Sequence, residues 1–337
     1  MRPNLFEFAT KELSQDAFFC WVLAWADKEN AAEDKALNEL GLSVVNSLLG
    51  MWDVPQQQAT VVKIHRQFMR ADIVAEVGDG LVILIEDKVH AGVHGDQLER
   101  YLENMQRSFP GKRILPVLLK TGDQSSYRDV EKAGYRLLLR DRILALLRPW
   151  KQRISDRIFL DFLADLESRE AQVESYATKP VSLWTGEWEP WIGFYRRLQQ
   201  ELSSDPIEWD YVANASGGFL GAWWHFRGWD DQTVYLQIEQ GPLCFKIQIQ
   251  QVEGIAAFRE RWRESLATAA RDMGTDVPRP TRMGSGTCMT VGRIQLKEWM
   301  AQRQDGLLDL DHTLETLRRA GDLLDRAVKS SSRHLAL

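Results

Sequence analysis

The stretch ADIVAEVGDGLVILIEDKVHAGVHGDQLERY, residues 71–101, decides the reading of this chain. Leu81 to Ile85 are five apolar residues in a row that run directly into Glu86, Asp87 and Lys88. An apolar run that short, bounded by turn residues, is a strand buried on both faces. Gly78-Asp79-Gly80 separates it from a second strand-like segment, 71–77, and the glycines supply the positive φ of a tight hairpin. Side chains two apart on a strand share a face, so Glu86 and Lys88 project together while Asp87 points the other way. Across the hairpin, Asp72 begins the neighbouring strand and reaches the same place.

Two carboxylates beside an ammonium are costly to withdraw from water without compensation. A divalent, oxygen-preferring cation supplies it: Mg²⁺ is typically held by one or two carboxylates together with water and substrate phosphate. A lysine next to such an ion can orient or activate the attacking water, while the ion neutralises charge that builds on phosphorus. Asp…Glu-x-Lys across a hairpin is therefore a minimal phosphodiesterase arrangement. The plainer alternatives are a solvated strand end for Glu-Asp-Lys and a turn residue for Asp72.

Working outward, residues 11–27 have a strongly apolar helical face, and a second helix is expected over 31–50. Strands are expected at 61–69, 71–77 and 81–89, a helix at 95–108, and a buried strand at RILPVLL, 113–119. Strand, helix, strand implies a right-handed crossover and a parallel pair. The fold expectation is α/β: helix, three-strand meander, helix, strand. Composition changes near YATKPVSLWTGEWEPW, 176–191, where prolines and tryptophans become dense. The domains are therefore drawn as 1–178 and 179–337. The second is expected to be α+β, with an antiparallel meander at 216–227, 233–240 and 242–250 and helices at 189–203, 254–272 and 307–329. In it, Phe245, Ile247 and Ile249 share one face and Gln248 and Gln250 the other. That second face carries few charges, and Trp223, Trp224 and Trp229 lie near its rim, an arrangement suited to docking a partner, a second protomer or a nucleic acid base.

These residues resemble the PD-(D/E)XK nuclease superfamily, which has the restriction-endonuclease-like fold. Asp72 and Glu86 match its two acids and Lys88 its lysine. Ala71 stands where the family pattern has proline, a position that shapes backbone and binds nothing. Gln97 and Tyr101 in QLERY match a Gln-x-x-x-Tyr element on the following helix of exonuclease-type branches. TKELSQDAFFCWVLAWA, beginning at Thr10, is similar to the first helix of a bacterial branch, and Glu12 matches an acid that reaches the metal there. The resemblance covers residues 5–120. It implies a nuclease using Mg²⁺ or Mn²⁺, with Asp72, Glu86, the Asp87 carbonyl and Glu12 around the ion. Lys88 positions or activates water, and Gln97 and Tyr101 orient Lys88, the water or the phosphate. DNA is the expected substrate and RNA the alternative; a catalytically silent binding module is the reading from outside the enzymes. Defence against foreign DNA, or repair, is the setting that the resemblance suggests.

His90 and His94 fall four and eight residues after Glu86, but Gly92 and Gly95 interrupt any common helical face. The expectation is a loop, with His94 close to a phosphate. The chain has a net charge of −6, so nucleic-acid contact requires a local patch. From Lys112 to Arg153 there are eleven Lys and Arg against four acids, a local balance of +7 that includes Lys112, Arg113 and Arg136. That is the charge a phosphate-binding face needs, and a solvated helix face reads the same way. The tryptophans of 184–229 could stack bases or form core. Three widely spaced cysteines, without a CxxC pair, argue against a disulfide scaffold or zinc ribbon and fit a reducing cytoplasm. No apolar run approaches the ~18 residues of a membrane span, and the first residues lack the apolar core of a signal peptide.

Overall fold

The computed structural model describes residues 3–58, 60–89, 92, 95–214, 217–250, 254–282, 284 and 286–332. The chain divides into two compact units, residues 1–171 and 172–337.

The first unit opens with a short helix α1 (Leu5–Phe8), then α2 (Glu12–Trp25) and α3 (Lys35–Gly50). The chain between them takes a 3-10 turn over Lys28–Ala32, and Asp34 caps α3 by accepting from the backbone of Ala36 and Leu37. The helix expected from residue 31 therefore starts four residues later, where a carboxylate satisfies its free N–H groups. Gly41 lets α3 close on α2: a Cβ there would lie 2.5 Å from the Ala26 nitrogen.

Five strands follow: β1 (Val62–Phe68), β2 (Ala71–Val77), β3 (Leu81–Lys88), β4 (Arg113–Lys120) and β5 (Arg136–Leu139). They form one sheet in the order β1-β2-β3-β4-β5. The first three are an antiparallel meander; β4 adds parallel to β3 and β5 parallel to β4. The crossover from β3 to β4 carries α4 (Gln97–Ser108), and α5 (Arg128–Lys132) lies between β4 and β5. Two further helices complete the sequence, α6 (Arg140–Leu147) and α7 (Arg157–Glu174), the second spanning the division between units.

Both faces of the sheet are covered, which is why β3 is continuously apolar. Ile73, Ala75, Ile83, Ile85, Val117 and Leu119 pack with Phe18, Phe19, Leu23, Val44, Ile143 and Phe162 on one side. Val74, Val82, Leu84 and Leu118 pack with Leu98, Met105, Val130 and Tyr135 on the other. Strand parity thus assigns Asp72, Glu86 and Lys88 to the α4 side and Asp87 to the α2 side.

The second unit holds α8 (Glu189–Glu201), β6 (Glu208–Val212), β7 (Phe219–Trp229), β8 (Gln232–Glu239), β9 (Leu243–Gln248), α9 (Ile255–Asp272), β10 (Cys288–Ile294), α10 (Leu296–Trp299) and α11 (Leu310–Ser332). Its sheet is antiparallel throughout, ordered β10-β9-β8-β7-β6. The expected meander is β7-β8-β9; β6 and β10 extend it. Phe245, Ile247 and Ile249 do share the core face.

Two expectations for this unit need correcting. Trp224 and Trp229 are buried core residues, as are Trp184, Trp191 and Trp209, because the helices over the sheet need bulky apolar filling. They are therefore not rim residues open to bases or partners. The opposite sheet face, expected to carry few charges, holds a buried one two residues before Gln248: Lys246 donates to Glu239 Oε1 at 3.0 Å and to Thr290 Oγ1 at 3.1 Å. Among the described residues no helix is long and apolar enough to cross a membrane.

Candidate active site

The register of β2 against β3 pairs Ile73 with Ile85, which brings Asp72 to the end of β3. There Asp72 Oδ2 accepts from the Asp87 amide at 2.8 Å. Lys88 Nζ lies at the centre of the group. It donates to Glu86 Oε1 at 2.6 Å and to the Asp87 carbonyl at 3.0 Å, and stands 3.9 Å from Asp72 Oδ2 and 4.0 Å from Glu12 Oε2. Glu12, at the first turn of α2, also accepts from the Val89 amide at 3.2 Å, tying the helix to the end of β3. From α4, Gln97 Nε2 donates to Glu86 Oε1 at 2.6 Å and to the Tyr101 hydroxyl at 3.2 Å. The i, i+4 spacing of Gln97 and Tyr101 makes that second bond.

Glu12, Asp72, Glu86, the Asp87 carbonyl, Lys88, Gln97 and Tyr101 therefore converge. His94 and His90 lie outside the described residues. Lys112, Arg113 and Arg136 gather elsewhere. Arg113 pairs with Leu81, the first residue of β3, so it lies seven residues from Lys88 along the strand, roughly 20 Å at the rise of a strand. Lys112 donates to Glu76 Oε2 at 2.6 Å, and Arg113 to the Trp52 carbonyl at 2.9 Å. The Arg136 guanidinium rests 5.1 Å above the Trp52 ring. These three cations are not part of the carboxylate cluster.

Burial shapes the electrostatics. Glu86 is 1% exposed, and burial, reinforced by the Asp72 charge, lifts its carboxyl to about 7 against the pull of Lys88. Burial opposes the charge of Lys88, but the bond to Glu86 and the charges of Asp72 and Glu12 outweigh it, leaving its pKa above the ordinary lysine value. Glu86 Oε2 is buried without a hydrogen-bond partner.

A divalent cation fits this donor set. Among the described residues no three His, Cys, Asp or Glu side chains stand close enough to hold an ion by themselves. What the structure shows instead is an ammonium seated among oxygens from Glu86, Asp87, Asp72 and Glu12, beside an unpartnered carboxylate oxygen. Two carboxylates and a carbonyl suit Mg²⁺, which keeps several waters.

Behind the cluster, on the α2 side, lies a second polar layer that strand periodicity alone does not reveal. Gln15 donates to Asp87 Oδ1 and accepts from the Thr121 hydroxyl at 2.5 Å. Asp16, 1% exposed, adjoins Asp87. Burial raises both carboxyls, and the Asp16 charge adds to the rise at Asp87, so the two resist being ionised together. Arg140 donates to the Thr121 carbonyl at 2.7 Å, to Asp123 at 2.6 and 3.1 Å, and to Glu170 at 2.6 Å. On the other face, the α4 side that it shares with Leu118 by strand parity, Lys120 is fully buried at the end of β4 and is depressed to about 8 by burial and by Lys88 against the charge of Glu12. Two signals were available for these residues. Gln15 and Asp16 follow Glu12 at i+3 and i+4, and LPVLLK ends in a charge as LVILIEDK does.

A mixed sheet of this order, with acids and a lysine at the end of its central strand and flanking helices on both faces, is that of a restriction-endonuclease-like protein. This chain belongs to the PD-(D/E)XK nuclease superfamily, whose family model matches residues 3–176. Members of that superfamily are generally nucleases and usually use divalent metals such as Mg²⁺. No curated protein and no solved structure matches the chain.

Proposed function

We propose that the chain is a divalent-metal-dependent nuclease that hydrolyses DNA phosphodiester bonds. The observation that carries this reading is the convergence of Asp72, Glu86 and Lys88 on one face of the β2-β3 hairpin, with Gln97 reaching Glu86 from α4. Asp72, Glu86 and the Asp87 carbonyl would hold Mg²⁺ or Mn²⁺, with Glu12 as a further acid at its edge. When bound, the ion supplies Lewis-acid stabilisation of the charge that develops on the phosphate. Lys88, kept as an ammonium by its acidic neighbours, donates hydrogen bonds to the attacking water and to phosphate oxygen. Gln97 fixes the carboxylate plane of Glu86, and Tyr101 fixes Gln97. The second unit provides recognition or assembly, and defence against foreign DNA or repair is the setting proposed.

The test is incubation of the full chain with circular DNA, linear DNA and RNA, each with Mg²⁺, Mn²⁺ or EDTA. Metal-dependent loss of DNA, absent in EDTA, is expected, and cutting of the circle separates internal from terminal cleavage. Cleavage confined to RNA would replace the substrate. A folded chain inert on all three with either metal would leave the binding module as the better reading.

A further inference from the structure

The feature that the proposed chemistry leaves unused is the turn that leads into Asp72. Strands β1 and β2 pair as far as Phe68 with Ala71, so Met69 and Arg70 alone form the loop between them. Both stand in the left-handed region, at φ 52° and 73°, with Gln67 beside them at 52°. A two-residue hairpin with positive φ at both loop positions prefers Asn-Gly. The β2-β3 turn, at the other end of β2, begins on a glycine, Gly78 at φ 56°. Next to Asp72 the chain instead carries a methionine and an arginine, whose Cβ atoms make that conformation costly. Met69 is 51% exposed. Arg70 is exposed too and, among the described residues, makes no ion pair or side-chain hydrogen bond. Residues 66–71 hold two cations, Arg66 and Arg70, and no acid. Arg66 pairs with Ile73 and so belongs to the α2 face, where its charge acts on Asp16. Arg70 has no such employment.

A residue two positions from Asp72 has its Cα within about 7 Å of the Asp72 Cα. An extended arginine there reaches the neighbour of a phosphate held at Asp72. A guanidinium grips phosphate oxygens in pairs, and an exposed methionine is an apolar wedge of the kind that packs between bases. We propose that the β1-β2 turn is a substrate contact: Arg70 holds a phosphate flanking the scissile one, and Met69 packs against a base of the same strand. The costly backbone is kept on two non-glycine residues because both side chains act there. This inference rests on the nuclease reading for the place of the scissile phosphate.

A turn that serves only the fold and a turn that grips substrate respond differently to the double variant Met69→Asn, Arg70→Gly. That sequence suits the turn, so thermal stability should hold or rise. Binding to a labelled duplex, followed by anisotropy in EDTA, should weaken on the order of tenfold. Arg70→Gln alone should flatten the slope of log K against log[salt] by about 0.9, the share of one phosphate on duplex DNA; Arg70→Lys should keep the slope. Met69→Ala should weaken binding with the slope unchanged. Calorimetric Mn²⁺ binding should persist in every variant, which separates a lost contact from a collapsed metal site. Wild-type affinity and slope in the folded double variant overturn the proposal. Loss of Mn²⁺ binding together with DNA binding overturns it too, since the turn would then support the site and not the substrate. So does a wild-type chain that binds neither duplex nor single strand. A wild-type chain that binds the duplex in EDTA yet cuts nothing with Mg²⁺ or Mn²⁺ overturns the nuclease reading, while the slopes still judge the contact at Arg70.

Discussion

Glu86→Gln should make the metal-free protein less sensitive to pH while it destroys the metal site. In the folded chain the Glu86 carboxyl is lifted from 4.5 to about 7, first by burial and then by the Asp72 charge. The folded carboxyl therefore holds its proton more tightly than the unfolded one. Folding takes up a proton between these values, and stability falls as pH rises through the window. At about 1.4 kcal/mol per pH unit the interval corresponds to roughly 3 kcal/mol, fully present below pH ~4.5 and lost above pH ~7. Asp16 and Asp87 are also raised, so they add slopes of the same sign. They remain in the variant, and the difference between the two proteins isolates Glu86. Lys88 titrates above this window and does not enter. The assay is urea unfolding in EDTA from pH 4.5 to 8, wild type against Glu86→Gln. The wild type should lose about 3 kcal/mol more than the variant across that range. Added Mn²⁺ should restore wild-type stability at pH 8 and leave the variant unchanged, since an ion that binds only the folded state stabilises it. Parallel curves for the two proteins in EDTA would refute a buried, proton-retaining Glu86.

Lys88→Ala should lower cleavage by ~10²–10⁴-fold, the usual worth of a positioned proton donor or acceptor. Calorimetric Mn²⁺ binding should be retained, and no weaker than in the wild type because a neighbouring cation is removed, whereas Asp72→Asn should weaken that binding itself. Full turnover by folded Lys88→Ala would remove the lysine from the mechanism. Arg140, whose side chain is 5% exposed, joins Asp123, Glu170 and the Thr121 carbonyl. Arg140→Ala takes the buried cation away from two largely buried carboxylates and should cost about 3–5 kcal/mol in chemical denaturation. A loss below 1 kcal/mol, on the order of an exposed pair, would show that water reaches the network.

Much of the site is legible because strands have a period of two and helices a period near four. Glu86 and Lys88 share a face, Asp87 opposes them, and Gln97 bonds Tyr101, all as local geometry requires. The glycine-flanked turn sets the β2-β3 hairpin and so delivers Asp72. Gln15 escapes this logic because its partner Asp87 lies 72 residues away and meets it only when α2 packs on the sheet. Lys120 escapes it because the pairing of two parallel strands joined by a helix is not written in either strand.

The basic segment shows the same boundary between local and tertiary information. Counting charges from Lys112 onward registers a surplus, but only the parallel register of β4 on β3 decides that Lys112 and Arg113 enter at the end opposite Glu86. In the second unit, alternation identifies which residues of β9 face the core. It cannot say that Trp224 and Trp229 are consumed by packing, because that depends on the volume beneath the helices. The sequence by itself determined strand faces, the hairpin and the identity of the three central groups, since each depends on bonds within a few residues. Tertiary structure alone decided how deeply those groups are buried, which charges surround them and where the cations lie. Dielectric environment and distance are properties of packing between segments far apart in the chain.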